Sequence, residues 1–460
     1  MFPVAGRRGI FFLSVGWKAD AARRRAQWAF CFSTFSRMKI ALPLAASRIA
    51  AGAALLASLA VAAPSFADQP SASWVTSWAT ALQSIPQLEA PPPLYRAPAV
   101  AGRTVRQIVY PTLGGQVARI HVSNEYGRTP LVIEAMGIAP SSGGAAAGEA
   151  GAARVTFGGR SGVTVPPGGA VESDPVHVEL HARAAYAISS YMGAEQTMVA
   201  WHRVASQVNY VSRPGDHVAD ASGAAFEQRF TQYVWVTGLA VEAPGAATVA
   251  AIGDSITDGM RSSLNQNRRW PDALARRLAR EQRTGLAVID LGISGNRLLS
   301  DSPCYGEALE RRFERDALAH PGVKTVVLLI GINDINFQAM PARAGLDCDA
   351  PHTRVNADDL IAGYKRVIAQ AHARGVRIVG ATLTPASLPP EREAIRESVN
   401  KWIRTSHMFD DVADFDAALR DPANPVRLRR EYDSGDHVHP DDAGYAAMAE
   451  AIPQSALAGR

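Results

Sequence analysis

Apolar strand-like runs and helical patterns alternate along the chain after residue 247. Residues 248–252 (TVAAI) and 325–330 (TVVLLI) are continuous apolar runs, and amphipathic stretches of helical period follow them. The pattern predicts strands at 248–252, 286–291, 325–330, 377–383 and 409–415, and helices at 270–282, 307–319, 357–374, 391–406 and 442–452. Strands that are apolar on both faces and alternate with helices indicate a parallel sheet covered by helices. Functional sites in such sheets form at the carboxyl ends of the strands.

Residues 74–244 carry a different pattern. Short β-like runs are separated by Gly, Pro and Asn, and several of them, such as 117–122 (VARIHV) and 176–180 (VHVEL), alternate apolar and polar residues. No ten-residue helical stripe interrupts them, which favours an all-β, jelly-roll-like sandwich. The low-complexity stretch 141–153 predicts a flexible loop between strands, and residues 243–245 (APG) predict a hinge.

The first 67 residues have the order of a secretory signal. A basic flank precedes residues 49–63, which are fifteen small or apolar residues, and residues 64–67 (PSFA) offer a small-x-small cleavage site. Since a bilayer span needs roughly 18–20 residues, we expect no stable membrane anchor and a secreted or periplasmic protein. Met38 begins a signal of ordinary length and is the alternative translation start. The predicted segments are therefore a leader at 1–67, a β-sandwich domain at 68–244 and an α/β domain at 245–460.

Loss of the leader changes both the charge and the cysteine count. The chain has 47 Lys and Arg against 43 Asp and Glu residues, but nine of these bases and only one acid lie in residues 1–67, so the remainder carries about −4. A nucleic-acid partner is therefore not expected. Cys31 leaves with the leader, and Cys304 and Cys348 are predicted to pair as a disulfide in an oxidising compartment. Two free thiols are the alternative.

Polar motifs follow three of the predicted strands, and a fourth polar motif precedes the last predicted helix. These motifs are GDSITDG at 253–259, GISGN at 292–296, GIND at 331–334 and DHVHP at 436–440. Taken alone, Ser255 is better explained as a helix N-cap and Asn333 as a turn residue. The three-residue spacing from Asp436 to His439 lets the carboxylate fold back onto the imidazole. Four such motifs at one sheet edge indicate a site where a serine is activated by a histidine.

In this order and spacing, the four motifs resemble those of the SGNH, or GDSL, family of serine esterases and lipases. The resemblance covers roughly residues 247–456, with Ile256 in place of the leucine that gives the family its name. It implies a flavodoxin-like three-layer α/β/α domain that needs no cofactor and no metal. The G-x-S-x-G elbow of the α/β-hydrolase fold is absent.

The resemblance also assigns roles to five residues of this chain. Ser255 is the expected nucleophile, His439 its base, and Asp436 the acid that orients the imidazole. The expected oxyanion hole consists of the backbone N–H groups of Ser255 and Gly295 and the side-chain amide of Asn333.

Other types of site compete with this interpretation. A metal site could form from Asp436, His437, His439 and Asp441, although no other cluster supplies further ligands. A nucleotide site is disfavoured because the Gly-Lys-Ser/Thr ending is missing. An inactive binding module is disfavoured because every motif residue is present. Tyr233 and Trp235 share a strand face, which either stacks on sugars or packs in the core, and His202 is expected to be an ordinary half-buried or surface residue.

The substrate follows only from the resemblance. Exported members of the family with an added β-domain look like esterases that remove O-acetyl groups from carbohydrate, so an acetylated polysaccharide is the expected substrate. A lipase or phospholipase, or an acyltransferase that uses the same triad, is the alternative.

Overall fold

The computed structural model describes residues 73–457. The predicted leader, its cleavage site and Met38 lie outside this range. Within it, no helix combines the length and apolar character that a membrane crossing requires. The described residues belong to one compact unit, and the predicted domain boundary at 244–245 stays a prediction.

Fifteen antiparallel strands form the N-terminal part, and residues 73–246 contain no α-helix. The strands are β1 Trp74–Ala79, β2 Gln83–Ser84, β3 Arg103–Val109, β4 Gly115–Ser123, β5 Leu131–Gly143, β6 Ala146–Ala147, β7 Ala153–Val155, β8 Val163–Val165, β9 Ala170–Glu172, β10 Val176–Leu180, β11 Tyr186–Met192, β12 Ala200–Trp201, β13 Asn209–Pro214, β14 Gln228–Phe230 and β15 Val236–Glu242. We call residues 73–246 the β-part.

Two sheets of the β-part share one hydrophobic core. One sheet has the order β1-β15-β4-β10 with β9 beside β4, and the other has the order β14-β13-β3-β11-β5-β6 with β7 and β8 beside β5. Ile120 and Leu239 from the first sheet and Ile133 and Ile188 from the second lie in the same buried cluster. The predicted β-rich character is confirmed, whereas the jelly-roll-like topology stays a prediction.

One expectation for the β-part is wrong, and one choice between two interpretations is decided. Residues 141–153 are not a free loop, because β5 extends to Gly143 and pairs with β6 and β7. Tyr233 and Trp235 do not form a sugar platform, since both side chains are buried in the core. Their apolar ring surface contributes to packing, which is the interpretation that a sandwich core favours.

The α/β part contains a five-stranded sheet and eight α-helices. Its strands are β16 Ala247–Gly253, β17 Leu286–Gly292, β18 Val323–Leu329, β19 Arg377–Ala381 and β20 Asp411–Ala413, and its helices are α1 Ser255–Asp258, α2 Trp270–Arg280, α3 Leu309–Phe313, α4 Ile332–Phe337, α5 Ala357–Ala373, α6 Pro390–Thr405, α7 Phe415–Leu419 and α8 Asp442–Glu450. All strand pairs are parallel, in the order β17-β16-β18-β19-β20. The predicted parallel sheet is confirmed, and the three-layer, flavodoxin-like arrangement stays a prediction.

The short helices α1, α4 and α7 have no predicted counterpart, and two predicted elements of the α/β part are clearly shorter in the structure. The helix expected at 307–319 is the short α3, followed by a π-helical turn at Glu314–Leu318. The last strand is shortened to β20 because Phe415 begins α7 after the N-cap Asp414. The two parts of the molecule are joined by backbone and threonine contacts, which include Thr76 N–H to Pro321 O (2.9 Å) and Thr248 Oγ1 to Thr76 O (2.9 Å).

Candidate active site

Ser255 lies where β16, an interior strand of the parallel sheet, meets a short helix. Strand β16 ends at Gly253, and Asp254 caps α1 by accepting the Ile256 N–H at 3.0 Å. Ser255 is the first residue of α1 and is 6% exposed. Gly253 is required there, because a Cβ would collide with the carbonyl oxygen of Leu329 and the hydroxyl of Thr257. The turn therefore fixes the position of the serine.

The structure brings Ser255, His439 and Asp436 into one hydrogen-bonded chain. Ser255 Oγ lies 2.9 Å from His439 Nε2, and His439 Nδ1 lies 2.9 Å from Asp436 Oδ2. Asp436 Oδ1 also accepts the backbone N–H groups of Val438 (3.1 Å) and His439 (2.8 Å). The loop before α8 thus folds back on itself, as the three-residue spacing predicts.

The Asp436 carboxylate is held in its charged form. Burial opposes ionisation, but the backbone N–H and the imidazole of His439 outweigh it and keep the pKa of Asp436 well below its usual range. A contact that the sequence did not indicate adds to this environment, because Arg261 Nε lies 3.0 Å from Asp436 Oδ2. Arg261 follows α1 in a backbone conformation with φ of 72°, so the segment after the serine also contacts the loop that carries the histidine.

The structure brings Asn333 against the loop that contains Gly295. Asn333 is the second residue of α4 and donates from Nδ2 to the carbonyl oxygen of Asn296 at 3.0 Å. Gly295 has φ of 85°, and a Cβ there would penetrate the ring of Tyr305. The neighbouring Asp334 accepts the N–H groups of Leu298 (2.8 Å) and Leu299 (3.0 Å), so the loops after β17 and β18 are tied together.

A buried arginine that sequence reasoning missed supports these loops from below. The fully buried guanidinium of Arg312 donates to Gly253 O (2.9 Å), Leu291 O (3.1 Å) and Asn296 Oδ1 (3.0 Å). It joins the ends of β16 and β17 to the Gly295 loop. In the sequence Arg312 lies within the charged stretch LERRFERD, and nothing in that pattern separates it from a surface residue.

The expectation for His202 is wrong. This residue of the β-part is 3% exposed, and its Nε2 lies 2.9 Å from Asp258 Oδ1 at the end of α1. The contact crosses from the β-part to the helix that carries Ser255. No local sequence signal marks it, because the partners are 56 positions apart.

Three buried carboxyl groups around the strand ends have pKa values above the ordinary value. Burial raises the pKa of Asp254 to about 7, with a further contribution from the carboxylate of Asp334. Burial likewise raises the pKa of Asp290 to about 7 and that of Asp334 to about 6, although Arg269 and backbone N–H groups respectively oppose the change. The strand ends beneath the site are therefore surrounded by protein interior of low dielectric constant.

The residues of the alternative metal site are engaged elsewhere. His437 Nδ1 lies 2.6 Å from Asp433 Oδ2, and Asp441 caps α8 by accepting the N–H groups of Ala443 and Gly444. Among residues 73–457, no three His, Cys, Asp or Glu side chains are grouped so that they could hold a metal ion. The geometry thus gives no support to the metal alternative.

Cys304 and Cys348 are joined by the predicted disulfide, with their Cα atoms 5.1 Å apart. The two cysteines lie in the core cluster of the β-part. Tyr95 Oη contacts Cys348 Sγ at 3.2 Å, and the Gln83 amide donates to the carbonyl oxygen of Cys304. The loop that carries Tyr305, next to Gly295, is therefore anchored to the β-part.

Comparison with known proteins gives a family match. Residues 251–447 match the GDSL-like lipase/acylhydrolase family, and this range contains every residue of the candidate site. No curated protein matches the chain.

Solved structures with a likeness to the chain include three members of this family or related esterases. A GDSL-like lipase from Bacteroides thetaiotaomicron VPI-5482 is 20% identical over 46% of this chain and 87% of its own, with a TM-score of 0.32. A catalytic mutant of an acetylxylan esterase from Geobacillus stearothermophilus is 24% identical over 45% and 91%, with a TM-score of 0.33. A member of the lipolytic protein G-D-S-L family from Veillonella parvula DSM 2008 is 17% identical over 45% and 96%, with a TM-score of 0.31. At these TM-scores the structural likeness carries no argument, and the match at residues 251–447 supports the family for that part of the chain.

Proposed function

We propose that this carboxylic ester hydrolase, whose residues 251–447 match the GDSL-like lipase/acylhydrolase family, cleaves its ester through an acyl-enzyme on Ser255. The observation that carries the proposal is the unbroken chain from Ser255 Oγ through His439 to Asp436, with both links at 2.9 Å. A serine hydroxyl becomes a useful nucleophile only when a neighbouring base takes its proton during attack.

Each of the three hydrogen-bonded residues then has a defined role in the reaction. Ser255 Oγ attacks the ester carbonyl while His439 Nε2 takes its proton, and the same proton passes to the leaving alkoxide. Water enters with His439 again as base and releases the acid. Asp436 holds the Nδ1–H tautomer and stabilises the imidazolium.

Three donors meet the carbonyl oxygen as it gains negative charge. They are the N–H groups of Ser255 and Gly295 and the side-chain amide of Asn333. Removing one donor of this kind costs about 2.7–4 kcal/mol of transition-state stabilisation where it has been measured.

The proposed substrate is an O-acetylated carbohydrate outside the cytoplasm. Polar side chains surround the catalytic loop, including Arg261, which is 59% exposed, and His437, which is 68% exposed. Among the described residues, only four large apolar side chains are exposed, namely Leu88, Leu94, Leu264 and Met408. An enzyme that works at a lipid surface needs a contiguous apolar patch, so this surface favours a hydrated, polar ester over a lipid.

The test compares substrates and a nucleophile variant in one assay. Wild-type protein is expected to prefer acetyl over longer p-nitrophenyl esters and to release acetate from acetylated xylan or pectin. Ser255→Ala should lose at least a thousandfold in kcat, whereas Ser398→Ala, which changes an exposed serine of α6, should leave kcat unchanged. Residual activity of Ser255→Ala within tenfold of wild type would contradict the mechanism. A preference for long acyl chains would replace the carbohydrate with a lipid, and efficient transfer to an added alcohol would indicate an acyltransferase.

Export is the second part of the proposal. The disulfide between Cys304 and Cys348 supports it, because such bonds persist in oxidising compartments. N-terminal sequencing of the protein purified from its native host should find a chain that begins just after residue 67 in the periplasmic or extracellular fraction. An uncleaved chain that stays in the cytoplasm would contradict export and leave the esterase mechanism untouched.

A further inference from the structure

A chain of buried polar contacts runs from the β-part to the residue before Gly295. His202 follows β12, and its Nε2 lies 2.9 Å from Asp258 Oδ1. The other oxygen of Asp258, Oδ2, accepts both the backbone N–H (2.8 Å) and the hydroxyl (2.5 Å) of Ser294. All three side chains are almost completely buried. One carboxylate of α1 therefore connects the β-part to the Gly295 loop.

The partners of His202 require its ring to carry both protons. Nδ1 lies 3.0 Å from the carbonyl oxygen of Ala81, and Nε2 lies 3.1 Å from the carbonyl oxygen of Val204 in addition to the Asp258 carboxylate. All of these groups accept hydrogen bonds, so both ring nitrogens must donate. Burial opposes the charge, but Asp258, with help from Asp290, outweighs it and raises the pKa of His202. The contact is thus a buried ion pair, and removal of one partner leaves the other charge uncompensated.

Ser294 and Tyr305 enclose Gly295 from two sides. Asp258 fixes Ser294 at its N–H and its hydroxyl, one peptide unit before the Gly295 N–H. The ring of Tyr305 packs so closely against Gly295 that no side chain fits between them. Since Gly295 has a positive φ of 85°, its N–H keeps its direction only while these neighbours hold the backbone.

We propose that His202 is a positioning residue of the esterase: through Asp258 it holds Ser294 and thereby aims the Gly295 N–H at the oxygen of the reacting carbonyl. The inference rests on the proposed function, because the Gly295 N–H is one of the oxyanion donors named there. The β-part then has a role in catalysis, because one of its side chains sets the direction of the Gly295 N–H in the α/β part.

Two amide variants of His202 separate its two nitrogens. The amide of His202→Gln reaches the place of Nε2 and can still donate to Asp258, whereas that of His202→Asn reaches only the place of Nδ1. We expect His202→Asn to lower kcat about ten- to a hundredfold, because a small misplacement of a reacting or stabilising group has costs of this order. KM should stay within about threefold, and His202→Gln should recover most of kcat. Turnover is calculated per active site, counted by labelling with a fluorophosphonate, so that partial unfolding does not enter the result.

A matched control and a double-variant cycle complete the experiment. His121→Asn changes another histidine of the β-part, which lies in β4 and contacts Thr237 Oγ1 at 2.7 Å. Its kcat should stay within twofold of wild type. Asp258→Asn should lower kcat as His202→Asn does, and the double variant should lose no more than the worse single variant, because both act through one contact. Fully additive losses, or equal losses in His121→Asn, would overturn the inference.

The outcomes also separate this inference from the proposed function. If the fluorophosphonate does not label Ser255 in wild-type protein, the acyl-enzyme mechanism fails. If labelling is normal and His202→Asn keeps kcat within twofold, only the positioning role fails. If His202→Asn does not fold, Ser294→Ala is measured in its place, because it removes one of the two hydrogen bonds between Ser294 and Asp258. A kcat loss of about three- to tenfold would support the positioning role, and an unchanged kcat would overturn it.

Discussion

Both nitrogens of the His439 ring have a defined partner. The Asp436 carboxylate accepts a hydrogen bond from Nδ1. It also accepts hydrogen bonds from the backbone N–H of His439 and from the Arg261 guanidinium, and these donors favour its charged form. The proton of the neutral ring therefore lies on Nδ1, and Nε2 faces Ser255 Oγ with a free lone pair. A single carboxylate thus decides which nitrogen acts as the base.

Asp436→Asn should change that tautomer. An amide group in place of the carboxylate can donate to Nδ1 and shift the proton to Nε2, so we expect kcat to fall by about 10⁴, as for the corresponding change in a serine protease. The measurement is steady-state hydrolysis of p-nitrophenyl acetate by folded protein. Asp433→Asn is the matched control, because Asp433 holds His437 in the same loop without touching the Ser255 chain. Comparable losses in both variants would contradict the assigned role.

The same carboxyl predicts a dependence of stability on pH. Because the folded protein holds the pKa of Asp436 below its ordinary value of 3.8, the charged group contributes stability above that value and loses it as the pH falls. Urea unfolding at pH 6 should show wild-type protein more stable than Asp436→Asn, and the gap should narrow toward pH 3. A gap that stays constant or widens would show that the folded protein does not favour the charged form.

Gly295→Ala is expected to damage both activity and stability. The new methyl group would penetrate the Tyr305 ring, and the positive φ costs an alanine roughly 1–2 kcal/mol. Displacement of the Gly295 N–H should lower kcat about a hundred- to a thousandfold. Gly245→Ala is the matched control, because Gly245 has a φ of 79° with no neighbour near the position of a Cβ. It should share the loss of unfolding free energy from the backbone and keep kcat.

At the scale of elements, the sequence predicts what has a local cause. The two-residue alternation of β10 and the long apolar face of α5 depend on neighbouring residues, and both elements lie where the pattern puts them. Helices α1 and α4 have only four and six residues, too few for a period, and depend on the strand ends that precede them. The same reason explains the missed roles of His202, Arg261 and Arg312. The motif residues can be predicted because each lies in a short local motif, at a strand end or just before α8. His202, Arg261 and Arg312 act instead through contacts between distant segments.

The junction between β16 and α1 predicts a stability change of the opposite sign. The folded protein raises the pKa of Asp254 to about 7, so between about pH 4 and pH 7 it retains a proton that the unfolded chain has lost. Its unfolding free energy therefore falls as the pH rises through this window. Asp254→Asn keeps the helix cap but has no carboxyl to titrate. The unfolding free energy of this variant, measured with urea, should therefore rise relative to that of wild type from pH 5 to pH 8. Asp358→Asn, in the exposed first turn of α5, should show a constant difference, and an equal pH trend in both would contradict the prediction.

The loop closed by the disulfide should contribute strongly to stability. Cys304 and Cys348 are 44 positions apart, and a cross-link over such a loop is worth about 3–4 kcal/mol in the chain-entropy model. The variant in which both cysteines are replaced by serine should lose about this much unfolding free energy, and reductant should have the same effect on wild type. Reductant should leave the double variant unchanged. Equal stability of oxidised and reduced wild type would show that the loop is held by packing alone.

At the scale of the whole molecule, the β-part completes the edge of the parallel sheet. Strand β17 is an outer strand, and Thr112 Oγ1 lies 2.9 Å from both the N and the O atom of Val288 within it. Unpaired groups on an outer strand invite pairing with other chains. The hydrogen bonds of Thr76 with Pro321 and Thr248 add further contacts between β1 and the α/β part. The two parts are therefore expected to depend on each other for stability.

This dependence predicts one cooperative unfolding transition for residues 68–460. Hydrogen exchange followed by mass spectrometry should give the same limiting free energy of opening for an interior strand of each part, β11 and β16, because neither part opens alone. Thr112→Val leaves the Val288 groups without their partner and should lower both values together by about 1–3 kcal/mol. Thr164→Val, at an exposed position of β8, should leave both unchanged. Two separate transitions, or a Thr112→Val effect confined to β16, would show instead that the α/β part is stable without the strands that precede it.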